Sequence, residues 1–415
     1  MIIIHGMNRS EPRPRLLQGP LTHALSVMPV VVVTGSRQAG KTTLVRELAR
    51  DPGRLYLTLD DLDVLEQAER APSDLVGRSD RVTIDEVQRA PQLLHSVKLA
   101  VDKKRTRGRF LLTGSANLLL MRRIAESLAG RATYLTLWPL TRREQLGMGA
   151  AGIWSDLLGA KPQDWIDVVE AQRVKREDWR EAALRGGYPT PAIDLDTPED
   201  RSTWFMGYTR TYLERDLQEI SSVAGLPDLR RLMRAACLRI GQLINQTELA
   251  RDIALAQPTV HRHLNLLETS YQLVRLPAYA VNRTKRLIKT PKLYWADTGL
   301  ACHLAGLTDP PGAYLENLIL TDLLAWRDAQ SGAADIFYWR TATGEEVDFV
   351  IETPDRILPI EVKAAPRPAT SDIGTLHAFR SEYGRRCPGA VLLHTGERTE
   401  WLAPGILAAP WWRVI

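Results

Sequence analysis

The chain has 415 residues, 44% hydrophobic and 25% charged, and 54 lysines and arginines against 49 acidic residues leave a formal charge of +5. This mix excludes a disordered or collagen-like polymer and supplies length for two or three domains. The basic excess, spread over so long a chain, neither requires nor excludes a polyanionic partner.

Cys237, Cys302 and Cys387 are far apart and form no CxxC pair, which argues against a disulfide framework or a zinc site. Ile2, Ile3 and Ile4 stand near the start, but charged residues and prolines follow at once from Arg9 to Arg15. No run approaches the roughly twenty apolar residues that span a bilayer. A cytoplasmic protein without a membrane segment is expected.

In chain order, β-rich runs at 30–34, 55–59, 81–85, 110–113 and 133–137 alternate with helical segments. Several are continuously apolar, the pattern of strands covered on both faces of a parallel sheet. The predicted fold class is α/β, a doubly wound parallel sheet with its ligand at the carboxyl ends of the strands. Polar helical sequence follows, with a turn at Gly186-Gly187-Tyr188-Pro189. Thr308-Asp309-Pro310-Pro311-Gly312 is the linker candidate ahead of a further α/β section. The division predicted is 1–140, 141–306 and 307–415.

Gly35-Ser36-Arg37-Gln38-Ala39-Gly40-Lys41-Thr42 fits G-x-x-x-x-G-K-[ST], between a buried strand and a helix expected over 43–50. Glycines let the backbone curl so that N–H groups face phosphate oxygens, and the helix end adds positive potential. Arg37, Gln38, Ala39 and Thr43 complete the predicted cradle. Lys41 would neutralise the β/γ-phosphates of a nucleoside triphosphate, and Thr42 would ligate Mg2+. The run 81–86 ends in Asp85 and Glu86, which would hold the magnesium and activate the attacking water respectively.

After 110–113 comes Gly114-Ser115. Ser115 either senses the γ-phosphate or caps the following helix. Arg131 either donates charge to a phosphate, in its own chain or a neighbour's, or is an ordinary surface arginine.

The segment 246–253, a short turn and Pro258 to Glu268 read as a helix-turn-helix. Val260, Leu264 and Leu267 form the inner face, with His261, Arg262 and His263 partly outward. Residues 271–279 and a basic stretch, Arg283, Lys285, Arg286 and Lys289, read as a wing. With Arg251 and Arg262 these cations are candidates for duplex DNA, whereas such modules also serve as lids or protein contacts.

The P-loop, Ile84-Asp85-Glu86-Val87-Gln88 with Pro91, Leu112-Thr113-Gly114-Ser115, Ser127-Leu128-Ala129-Gly130-Arg131, Tyr212-Leu213-Glu214-Arg215-Asp216-Leu217 and Lys292 to Leu300 together resemble prokaryotic AAA+-type ATPases with a C-terminal domain of unknown function. The resemblance implies an ATPase domain, a winged helix and a restriction-endonuclease-like end. Asp348 and Glu361-Val362-Lys363 resemble the Asp…Glu-x-Lys site of restriction-type nucleases, with Glu316 on the preceding helix. Glu361 and Lys363 would share a strand face, Asp348 would add a second carboxylate for magnesium or manganese, and Lys363 would position water.

The expected protein is therefore an ATP-binding AAA+ ATPase associated with DNA, carrying a candidate metal-dependent nuclease site. The alternatives are a nucleotide-dependent switch on a protein partner that cuts nothing, and a DNA-binding regulator with an inert C-terminal domain. The sequence leaves the oligomeric state open.

Overall fold

Val30, Val31, Val32 and Val33 are all completely buried, and they fall alternately into two different cores. A strand points successive side chains to opposite faces, so such a run belongs where helices cover both sides. Each valine so buried contributes about 1.5–3 kcal/mol relative to exposure. The computed structural model describes residues 12–49, 53–114, 128–213, 225–282, 286 and 289–415. In it β1 (Val30–Thr34), β2 (Leu55–Thr58), β3 (Val82–Asp85), β4 (Phe110–Thr113) and β5 (Ala132–Thr136) form one parallel sheet in the order β2-β3-β4-β1-β5.

The strand that separates β1 from β3 in space is β4, not β2, which separates them in sequence. The ends of β1, β3 and β4 therefore converge on one edge, where a doubly wound sheet holds its ligand.

Beyond the sheet, helices Leu226–Cys237, Gln246–Asp252 and Gln257–Thr269 lead into an antiparallel hairpin of β6 (Leu273–Leu276) and β7 (Lys292–Trp295). The Asn245 side chain caps the second helix by accepting from the N–H groups of Thr247 and Glu248. Val260, Leu264 and Leu267 are buried as expected. His263 is buried too, at 1% exposure, contrary to its expected outward position. It lies three residues from Val260 and four from Leu267, so the helical period returns it to the same inner stripe.

A mixed sheet follows, made of β8 (Asp335–Arg340), β9 (Glu346–Glu352), β10 (Ile357–Lys363), β11 (Ala390–His394), β12 (Glu400–Ala403) and β13 (Ile406–Pro410). Its order is β12-β13-β11-β10-β9-β8, with β10, β11 and β13 parallel and the other pairs antiparallel. One hydrophobic core gathers residues from Trp138 to Ile415, while a separate one holds Tyr279, Val350 and Phe379 at the last sheet. The helical section and the last sheet thus share an interior across the 306/307 division.

The helix Ala313–Ala329 is the reason. Its Asn317 clamps both backbone groups of Trp295, at 2.8 and 2.7 Å, and its Asp322 accepts from the Gly152 N–H and the Trp154 indole. Arg142 also donates to the carbonyls of Trp412 and Ile415, each at 3.0 Å. No helix among the described residues is long and apolar enough to cross a membrane.

Candidate functional site

The loop after β1 reverses direction at residues with positive φ: Gly35 at 142°, Gln38 at 63° and Gly40 at 96°. A Cβ on Gly35 would lie 2.2 Å from the Leu137 carbonyl oxygen, so only glycine fits there. The helix begins at Lys41 rather than Thr43, so Lys41 and Thr42 occupy its first turn. Lys41 is 5% exposed and folds back to donate to the carbonyls of Gly35 and Ser36 at 3.0 and 2.7 Å. Arg37 is half-buried, Ala39 is buried, and Gln38 and Thr43 are exposed.

Asp85 is 1% exposed at the end of β3. It accepts from the Thr42 hydroxyl at 2.9 Å, from the Tyr56 hydroxyl at 2.9 Å and from the Thr113 hydroxyl. Burial and the neighbouring Asp85 push the Tyr56 phenol up to about 12, so it stays a donor. Glu86 adopts a left-handed conformation, φ 59°, which turns it out of the strand. Its N–H donates to Thr113 Oγ1 at 3.1 Å, and its carboxylate accepts from the Gln88 side-chain amide. The hydroxyl of Thr42 and the carboxylate of Asp85 are hard oxygen donors of the kind magnesium selects, already side by side.

Three residues that sequence reasoning passed over complete this edge. Thr113 joins β4 to both acids; it stood within the Leu112-Thr113-Gly114-Ser115 motif but was given no role there. Tyr56 reaches Asp85 from β2. Arg15 braces the loop from outside, donating to the carbonyls of Ala39 and Trp138 at 2.8 and 2.7 Å and pairing with Glu144 at 3.0 Å.

A cluster of hydroxyls from the helical section caps the P-loop. Tyr271 meets Thr34 at 2.9 Å, and Tyr208 reaches the Arg37 carbonyl at 3.4 Å. Tyr188 and Gln272 tie into Tyr208, at 3.0 and 3.2 Å. The backbone turns into π-helical geometry directly after Tyr188-Pro189 and after Tyr208, at Thr190–Asp194 and Thr209–Leu213. The Gly186-Gly187 turn that carries Tyr188 is held by Asp297, which accepts from the N–H groups of Gly187, Tyr188 and Leu300. Burial outweighs these bonds and raises the Asp297 carboxyl to about 6.

The second predicted site also assembles. The register of β9 on β10 sets Phe349 opposite Ile360, bringing Asp348 beside Glu361. Asp348 Oδ2 accepts from the Val362 N–H at 2.9 Å, and Lys363 pairs with Glu361 at 2.7 Å. Glu316 accepts from the Tyr294 hydroxyl at 3.3 Å. Burial raises all three acids, Glu361 to about 8, Asp348 above its usual range and Glu316 well above it, with repulsion from Asp348 adding at Glu361 and Glu316 and from Glu346 at Asp348.

Glu361 Oε2 is buried with no hydrogen-bond partner among the described residues. An orphaned carboxylate oxygen among acids fits a cation, although among the described residues no three His, Cys, Asp or Glu side chains stand together as a ready metal-binding set. Sequence reasoning did not assign Lys292 a role. Its ammonium stands 2.5 Å from Glu346 and 3.6 Å from Asp348.

Other expected residues are placed differently. Arg131 precedes β5 at the amino-terminal end of the strands, where its carbonyl bonds to Val30, and it pairs with Asp102. The length of β1 separates it from its own P-loop, about 15 Å, so it is not a phosphate contact within the chain. Arg286 is not a free wing cation. It pairs with Glu352 at 2.5 Å and lies over the rings of Tyr279 and Phe337. Arg251, Arg262 and Lys289 are exposed. Ser115, Arg283, Lys285 and 214–217 lie outside the described residues.

The sequence matches an AAA domain over residues 28–146, a domain of unknown function (DUF8612) over 176–311 and a second one (DUF4143) over 311–414. An uncharacterised protein of Mycobacterium tuberculosis is 32% identical over 360 residues, covering 85% of this chain and 74% of the relative. One of Haemophilus influenzae is 22% identical over 359 residues, 80% of this chain and 82% of the relative. Among solved structures, a Walker-type ATPase of Pyrococcus abyssi aligns over 72% of this chain and 96% of its own, at 14% identity and a TM-score of 0.41.

Proposed function

Because the chain belongs to the P-loop ATPases that join an AAA domain to a C-terminal domain of unknown function, we propose that it hydrolyses ATP with magnesium and transmits its nucleotide state to the helix-hairpin module. The observation that carries the reading is Thr42 held against Asp85 at 2.9 Å, with Glu86 turned out beside them. Lys41 leaves the Gly35 and Ser36 carbonyls to neutralise the terminal phosphates. Thr42 and Asp85 hold the magnesium, which supplies charge stabilisation at the phosphate oxygens. Glu86, oriented by Thr113 and Gln88, takes the proton of the attacking water. Tyr208 touches the loop at the Arg37 carbonyl and Tyr271 the last residue of β1 before it, so a nucleotide that reshapes the loop alters these contacts.

The module is read as a winged helix with Arg251, Arg262 and Lys289 available to duplex phosphates, and the acidic cluster as a site for metal-dependent phosphodiester cleavage. ATP turnover measured with and without duplex DNA tests the association, and stimulation is the expected result. Salt-insensitive turnover with no duplex binding would remove DNA from the reading.

Metal-dependent cleavage of single- and double-stranded DNA by the intact chain, lost in Asp348→Ala and Lys363→Ala, tests the second site. Equal background in all three would refute it. The Arg286–Glu352 pair favours a second reading, a nucleotide-driven switch on a protein partner, since it withdraws one cation from the wing. Protein-stimulated but DNA-indifferent turnover would identify that case.

A further inference from the structure

Lys292 is 2% exposed in β7, a strand whose neighbours Leu293, Tyr294 and Trp295 are also buried. Enclosing an ammonium costs several kcal/mol, so its surroundings must return that cost. They consist of Glu346 Oε1 at 2.5 Å, Asp348 Oδ1 at 3.6 Å and the Tyr338 ring at 5.8 Å. Glu316 and the same two acids act on it electrostatically.

The charges explain the choice of residue. Glu316, Glu346, Asp348 and Glu361 gather around Lys292 and Lys363, with Arg340 on the outer oxygen of Glu346 at 3.3 Å. Asp348 spends Oδ2 on the Val362 N–H, so the oxygen left for a cation is the one that faces Lys292.

We propose that Lys292 is a tethered counter-ion occupying the cation position of the acidic cluster, and that a divalent metal must displace it to bind. The proposal rests on reading Asp348 and Glu361 as metal ligands. A metal taken up by Asp348 Oδ1 would stand against the ammonium, and like charges at that distance in a buried site repel strongly. Lys292 stands on a strand that pairs with β6, Leu276 opposite Lys292. The other end of β6 adjoins Tyr271 and Gln272, which contact the P-loop strand and Tyr208. The hairpin that carries Lys292 thus also adjoins the residues in contact with the P-loop strand.

The test is a Mn2+ titration of the full chain without nucleotide, followed by electron paramagnetic resonance, on wild type, Lys292→Met, Lys292→Arg and Lys292→Met/Glu361→Gln. Lys292→Met should bind Mn2+ roughly tenfold tighter or more, Lys292→Arg should resemble wild type, and the double variant should lose the gain. Equal affinity in wild type and Lys292→Met, with binding lost in the Lys292→Met/Glu361→Gln variant, would overturn the Lys292 role while leaving the metal site standing. No binding in any protein would overturn both.

A second measurement needs no variant. Acetylation of Lys292 in wild type, read by mass spectrometry, should rise when Mn2+ is added. Protection that persists at saturating Mn2+ refutes displacement.

Discussion

Arg15 offers the sharpest check on how the P-loop is held. Its side chain is 8% exposed and Glu144, its partner, 3%. Arg15→Met removes two bonds to carbonyls and one ion pair while keeping most of the apolar stem. Stripping one partner from a buried pair costs about 3–5 kcal/mol. Glu144 keeps the N–H groups of Leu16 and Thr141 at 2.7 and 2.9 Å, which places the loss near the lower end, at about 3 kcal/mol.

Part of that loss falls on the loop itself, because the Ala39 carbonyl is released immediately before Gly40 and Lys41. One neutral-acceptor bond to a charged donor is worth about 1.5 kcal/mol, so ATP affinity should fall about tenfold. Urea unfolding and a fluorescent-ATP titration read the two effects. A double-mutant cycle with Glu144→Gln should show coupling of about 2 kcal/mol. Coupling within about 0.5 kcal/mol of zero, with unchanged ATP affinity, would refute the bracing role.

Lys41→Ala should abolish ATP binding, and Glu86→Gln should bind ATP while turnover drops by at least about a hundredfold. Wild-type turnover in Glu86→Gln would reject Glu86 as the base. Tyr271→Phe removes the bond to Thr34, worth about 1 kcal/mol, so hydrogen exchange in β6 of the nucleotide-free protein should quicken about fivefold while β11 is unaffected.

Asp297 makes stability pH-dependent with a definite sign. Its folded pKa of about 6 lies above the ordinary aspartate value of 3.8, so its contribution is fully present below 3.8 and is lost as pH rises through 6. Wild type should therefore lose about 2 kcal/mol relative to Asp297→Asn between pH 4.5 and 7.5, measured by urea unfolding. A flat difference would contradict the assignment.

Local patterns made the first sheet legible. Val30–Thr34 and Phe110–Thr113 carry the apolar runs that only two-sided burial explains, and the predicted strands match the observed ones to within a residue or two. The P-loop was equally clear, because its chemistry depends on adjacent backbone groups. His263 was misjudged on a single position of a helical wheel, and Arg286 because a partner 66 residues away, Glu352, is invisible in a basic run.

Sequence alone therefore determined the elements whose cause is local: the buried strands, the glycine-governed loop, and the acids that end β3 and line β9 and β10. Tertiary structure decided what those groups face. β4 inserts between β1 and β3, so Thr113 joins the two acids, and Tyr271 crosses from the hairpin to Thr34. Lys292 enters the acidic cluster from a strand more than fifty residues before Asp348. A buried charge finds its partners through packing, and packing brings together segments whose separation along the chain carries no sign of their contact.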